Sequence, residues 1–174
     1  VVISAVGQDA AGLELRSALD DFGISTGHIA ADPAHPTGSL MAPLLKDGSA
    51  SQTLGENVAW DYLSFTEDVA DLTRSADAIC FGTLASRNSH SRACIQKILE
   101  STLPGCLRVF DVNLRQEQYS RDVLVALLEH TEVLKLNEDE LPVVAGLLNI
   151  IGSTKERMES LLAHFALDAV ALTR

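Results

Sequence analysis

Two stretches, Leu107-Arg108-Val109-Phe110-Asp111-Val112-Asn113-Leu114-Arg115 and Val133-Leu134-Lys135-Leu136-Asn137-Glu138-Asp139-Glu140, are built alike. Each opens as a short apolar run of strand type and closes in a cluster of polar and charged side chains. Between them Leu124, Leu127 and Leu128 recur at helical spacing. Strand, helix, strand is the repeating unit of parallel sheets, and in such sheets ligands bind beyond the carboxyl ends of the strands. The polar clusters stand where those ends are expected.

The same rhythm extends outward. Upstream, Ala78 to Phe81 reads as a buried strand ended by Gly82, and Ile95, Ile98 and Leu99 mark a helix. Downstream, Asn137 opens a helix. Ser153 and Glu156 have capping-box spacing ahead of an apolar stripe of Met158, Leu161, Leu162 and Phe165. Ala169 to Leu172 is the last strand. At the start, Val1 to Val6 reads as a strand and Gly7-Gln8-Asp9 as its turn. Leu15, Ala18, Leu19 and Phe22 then form a helical stripe closed by Gly23. Ile29 to Leu63 breaks the pattern with Pro33, Pro36, Pro43 and a Lys46-Asp47-Gly48-Ser49 turn, which predicts inserted hairpin strands with a small sheet of their own. The expected class is α/β, a mostly parallel sheet with helices on both faces.

Composition narrows the setting. The 174 residues include 24 acidic and 13 basic side chains, a net charge of −11, which argues against nucleic acid and anionic membranes as partners. At 47% hydrophobic and 21% charged, the chain can bury a core and is not of disordered type. No apolar run is long enough to cross a bilayer, and no signal peptide opens the chain. The three cysteines, Cys80, Cys94 and Cys106, make an odd number without a C-x-x-C, so neither a disulfide framework nor a zinc site is indicated, and a cytoplasmic setting is expected. Cys80 and Cys94 read as small core residues. The histidines are scattered and read mostly as surface residues. With no initiator Met, and with Arg174 following directly on an apolar run, both ends look cut.

Three strand ends carry polar groups: Asp111 to Arg115, Asn137 to Glu140, and Thr173-Arg174. Arg can hold a phosphate bidentately, and Glu with Asn can hold Mg²⁺ directly or through its waters. Each cluster also has a purely structural reading. Asn137 and Glu140 have the spacing of a capping box, and Asp111 to Arg115 could be a polar loop with an internal ion pair. A dinucleotide G-x-G-x-x-G, a P-loop, a G-x-S-x-G elbow and an H-E-x-x-H are all absent from the sequence.

Read together, several segments resemble the ribokinase or pfkB family of carbohydrate kinases, and within it bacterial fructokinases. They are Val6 to Gly12, Asp32 to Gly38, Val58 to Asp61, Cys80 to Leu84, Phe110 to Arg115, Leu134 to Leu141 and Val170 to Arg174, in family order. The resemblance implies a ribokinase-like, three-layer α/β/α fold of Rossmann type. Residues 1–28 and 64–174 would form its core, and residues 29–63 a β lid that in some relatives pairs two subunits. It implies transfer of the γ-phosphoryl group of ATP to a sugar hydroxyl with Mg²⁺, fructose favoured. Other acceptors, such as 2-keto-3-deoxygluconate or a nucleoside, and a non-catalytic binding protein on the same scaffold, are the alternatives. Asn137, Glu140 and Thr173 match positions facing phosphate, with Glu140 also toward Mg²⁺ through water, and Asn113 and Arg115 match positions facing the nucleotide phosphates or the acceptor end of the sugar. Thr37, Gly38 and Asp61 fall in the lid and acceptor segments. The family's Gly-Ala-Gly-Asp segment, which carries the Asp general base, has no counterpart in these residues. The base is expected beyond Arg174, and the 174 residues alone are expected to be inactive.

Overall fold

A computed structural model describes residues 1–41, 53–116 and 118–174. The Lys46 to Ser49 turn and Pro43 lie outside the described residues. The chain forms two compact units, Val1–Val69 and Ala70–Arg174.

In the first unit, β1 (Ser4–Gly7) and β2 (Ile29–Asp32) pair in parallel, from Ser4 beside Ile29 to Gly7 beside Asp32. The helix between them, α1 (Ala10–Asp21), is capped by Asp9, whose side chain accepts the Gly12 N–H. Its exit is closed by Gly23 at φ +71°, the left-handed backbone that glycine adopts without strain. β2 is therefore the second strand of a βαβ unit and not a member of an inserted hairpin. Among the described residues the separate antiparallel ladder pairs β3 (Leu40–Met41) with β4 (Thr53–Leu54). A 3₁₀ turn, Ala59–Tyr62, follows and packs against β1. The helical stripe foreseen for α1 lies largely in solvent: Phe22 is 84% exposed, and Gly12 is the helix's buried residue.

Sequence periodicity left residues 64–77 unassigned, yet α2 (Glu67–Arg74) forms there. Its start is marked by Thr66, whose hydroxyl accepts the Val69 N–H, and by Glu67 and Asp68 in the first turn.

The second unit is built on four parallel strands in chain order: β5 (Ala78–Gly82), β6 (Leu107–Asp111), β7 (Val133–Asn137) and β8 (Ala169–Thr173). They are linked by α3 (Ser89–Glu100), α4 (Arg121–Leu128), and α5 (Glu140–Leu147) with α6 (Thr154–His164). Crossovers between successive parallel strands are right-handed as a rule, which puts the linking helices of such a run on one face of the sheet. Burial follows that geometry. Phe110, Leu134 and Leu136 on the helical face are sealed, together with Leu99, Leu124, Leu127, Leu128, Val144 and Leu161. Each such side chain contributes roughly 1.5–3 kcal/mol. The opposite face carries the Asp111–Lys135 pair and the exposed Ala171. The Ser153–Glu156 capping box forms as its spacing predicts.

Cys94 is buried as expected, whereas Cys80 is exposed, because it projects from the edge strand β5 on the uncovered face. Asn137 ends β7 instead of opening the helix, which starts at Glu140. Among the described residues no helix is long and apolar enough to cross a membrane.

Candidate functional site

The carboxyl ends of β5 to β8 carry a continuous hydrogen-bond network. Asn137 and Glu140 do form the reciprocal pair that their spacing allows. Asn137 Oδ1 accepts the N–H groups of Asp139 at 2.9 Å and Glu140 at 2.8 Å, and Glu140 Oε2 accepts the Asn137 N–H at 2.8 Å. The carboxylate does more than close a turn. Its other oxygen, Oε1, accepts the N–H of Leu114 at 2.9 Å, 26 residues away in the loop after β6. Glu140 is only 6% exposed. A buried carboxylate is tolerable where hydrogen-bond donors replace its lost water, and these two N–H groups do so.

The loop so captured is the Asp111–Arg115 cluster. Asn113 and Arg115 are exposed on it. Asn113 (φ +40°) and Gln116 (φ +50°) hold left-handed backbone, which non-glycine residues adopt only where the surroundings impose it. On the other flank, the buried Thr83 at the end of β5 donates its hydroxyl to the Val112 carbonyl at 2.7 Å. The Val112 N–H donates to the Lys135 carbonyl at 2.9 Å. Asp111 does not pair with Arg115. It accepts Lys135 Nζ at 3.0 and 3.2 Å, its register partner on β7. Among the described residues Arg115 makes one long contact, from NH1 to the Leu114 carbonyl at 3.4 Å, which leaves its guanidinium available to them.

Thr173 joins the same end of the sheet. Its carbonyl accepts the Glu138 N–H at 3.2 Å, its hydroxyl reaches the Leu136 carbonyl at 3.4 Å, and Arg174 pairs with Glu138 at 3.1 Å. The second unit thus brings Asn113, Arg115, Asn137, Glu140 and Thr173 to adjacent strand ends.

Thr37, Gly38 and Asp61 lie in the first unit, where each has contacts within it. Thr37 donates its hydroxyl to Asp9 Oδ1 at 2.6 Å and its N–H to Asp9 Oδ2 at 2.8 Å, while its oxygen accepts the Gly7 N–H at 2.9 Å. These bonds from Thr37, with that from Gly12, hold the Asp9 carboxyl below the usual carboxylate range. Gly38 lies against the Trp60 indole, which occupies the space a Cβ would need. Asp61 is 2% exposed and accepts the Val58 N–H at 3.2 Å. At the end of β2, Asp32 pairs with His35 at 2.9 Å, and the His35 ring stacks on Tyr62 at 3.6 Å. Sequence reasoning missed Asp9, Thr83 and Lys135. Asp9 had a visible signal, a capping residue three positions ahead of Gly12. Thr83 and Lys135 lie inside segments that carry the family resemblance, but nothing local marked their bonds, whose partners are distant in sequence.

Residues 1–174 match the family described as pfkB family carbohydrate kinase. An uncharacterized sugar kinase of Pyrococcus horikoshii is 28% identical over 146 residues, 80% of this chain and 47% of the relative. Its crystal structure in complex with ATP aligns with a TM-score of 0.75 at 25% identity, covering 85% of this chain and 50% of that one. A fructokinase of Vibrio alginolyticus is 27% identical over 142 residues, 78% of this chain and 46% of the relative. The apo structure of a candidate ribokinase II from E. coli aligns with a TM-score of 0.84 at 21% identity, covering 99% of this chain and 56% of that one, and so shares the fold. The chain spans about half the length of the curated relatives it matches.

Proposed function

The chain belongs to the pfkB family of carbohydrate kinases, and from that premise we propose that the protein transfers the γ-phosphoryl group of ATP to a sugar hydroxyl. In this reading the carboxyl ends of β6, β7 and β8 receive the phosphate end of the nucleotide. The observation that carries it is the Glu140 bridge, which draws the Asn113–Arg115 loop and Asn137 to adjacent strand ends. Phosphoryl transfer asks the protein mainly for positioning and charge neutralisation. The Arg115 guanidinium supplies a bidentate donor for phosphate oxygens. Asn113, Asn137 and Thr173 supply polar groups beside it. These local groups let a chain of net charge −11 accept an anion.

Mg²⁺ enters as part of the MgATP substrate. Among the described residues no group of three or more His, Cys, Asp or Glu side chains could cage a metal ion. Each Glu140 oxygen accepts one N–H and keeps a further lone pair. Such a carboxylate suits the water shell that Mg²⁺ retains. Thr37, Gly38 and Asp61 are assigned to the segment that handles the acceptor. Fructose is the proposed acceptor, supported by the likeness to the Vibrio alginolyticus fructokinase. The free cysteines fit a cytoplasmic setting.

The test is ADP formation by the full-length gene product with MgATP and a panel of fructose, other hexoses, ribose, 2-keto-3-deoxygluconate and nucleosides. Turnover with fructose above all others is expected. Turnover with another acceptor alone would replace fructose, and no acceptor-dependent ADP formation would end the kinase reading.

A further inference from the structure

The loop that presents Asn113 and Arg115 is held in an intrinsically unfavourable backbone. Asn113 and Gln116 flank its centre in left-handed conformation, at a cost of roughly 1 kcal/mol or more each for non-glycine residues. Something must hold it. Two buried side chains from different elements do so. Glu140 takes the Leu114 N–H from the β7 side, and Thr83 gives its hydroxyl hydrogen to the Val112 carbonyl from the β5 side. Val112 is fully buried and Thr83 is 1% exposed, so neither carbonyl nor hydroxyl has water as an alternative partner. The Thr83 bond grips the residue immediately before Asn113, where the strand geometry of β6 ends and the left-handed turn begins.

We propose that Thr83 is a positioning residue for phosphate binding: its bond to the Val112 carbonyl fixes the Asn113–Arg115 turn, and through Arg115 it sets the affinity for MgATP without touching the nucleotide. The proposal rests on the phosphate-binding reading of Arg115. Of the side chains that could stand at position 83, Ser and Thr keep the donor. Val keeps the shape and deletes the donor. Ala deletes both.

The experiment uses the full-length gene product with T83V, T83S, R115A and the double variant T83V/R115A. It measures KM and kcat for MgATP, thermal midpoint, and hydrogen exchange of the amides from 113 to 116. Loss of one buried hydrogen bond corresponds to a roughly three- to tenfold rise in KM. T83V is expected to show that rise with faster exchange of the loop amides and a much smaller change in kcat, while T83S stays close to the parent. In the R115A background T83V is expected to add little, because its effect passes through Arg115. A lowered thermal midpoint with unchanged KM would overturn the positioning role and leave the phosphate site standing. Effects of T83V and R115A that multiply would overturn it too. An R115A variant with unaltered KM would overturn both the positioning role and the assignment of Arg115. If T83V fails to fold, T83A deletes the same donor without the bulk of the second methyl and carries the same comparison.

Discussion

Asp9 and Thr37 are joined by two hydrogen bonds across 28 residues of chain, the hydroxyl to Oδ1 at 2.6 Å and the N–H to Oδ2 at 2.8 Å. Asp9 also caps α1 through the Gly12 N–H at 2.8 Å. One carboxylate therefore ties the first helix to the segment that follows β2. Its lowered pKa gives a direction. The stability it contributes is full above the usual carboxylate range, near pH 4, and is lost as pH falls through the lowered folded value. Thr37→Val should lower the thermal midpoint at neutral pH. It should also make the acid limb shallower, since Asp9 then titrates closer to its ordinary value. Thermal scans between about pH 7 and pH 3 check this; an unchanged acid limb would count against it.

Gly12 stands where the helix passes the β1 turn. A Cβ there would press on the Gly7 carbonyl oxygen and lie 2.8 Å from Thr37 Oγ1. Backbone cannot yield as a flexible side chain can. Gly12→Ala, favourable by helix propensity alone, should instead destabilise the protein by about 1–3 kcal/mol, measured by urea denaturation.

Arg108 and Glu132 clasp one another at the amino ends of β6 and β7. Arg108 Nε lies 2.9 and 3.0 Å from the two carboxylate oxygens, its NH2 also reaches Oε1, and its N–H donates to Oε2 at 2.8 Å. The guanidinium holds the Glu132 carboxyl below its usual range. The side chains are 27% and 25% exposed, so water screens the pair in part. Glu132→Gln should cost about 1 kcal/mol at neutral pH. That difference should vanish on acidification, because the wild-type carboxylate loses its advantage as pH falls through its lowered folded pKa.

Leu124 is fully buried on the sheet-facing side of α4. Leu124→Ala should cost about 2–5 kcal/mol. The urea midpoint should fall with an unchanged slope; a changed slope would point to a loosened native state instead of a cavity.

Arg115 is exposed and makes one long contact among the described residues, so Arg115→Gln should leave the thermal midpoint within about half a kcal/mol of equivalent stability. Under the kinase reading it should raise KM for MgATP in the full-length protein by roughly ten- to a hundredfold. A normal KM would remove Arg115 from the phosphate site.

Much of this was legible in local pattern. The strands from 78 to 173 were readable because β-type apolar runs alternate with helical stripes and capping signals, and those depend on neighbours three or four positions away. The stretches at 110–115 and 134–141 were readable because polar clusters at strand ends are unusual. The spacing of Asn137 and Glu140 left two readings open, a structural cap or a phosphate and metal site. The structure shows the reciprocal Asn137–Glu140 bonds, made in the turn between β7 and α5, and shows that the same carboxylate also reaches Leu114.

The amino-acid sequence by itself determined the α/β rhythm and the acidic character, which rest on periodicity and composition, and it carries the family in the segments that resemble the pfkB kinases. Tertiary structure alone decided that β2 pairs with β1, that α1 shows its apolar stripe to water, and that Thr83 and Glu140 grip the Asn113–Arg115 turn from opposite sides. The last of these depends on which buried polar groups find partners 26 or 29 residues away. A buried donor or acceptor must be satisfied wherever the fold brings a partner, and no local pattern records where that is.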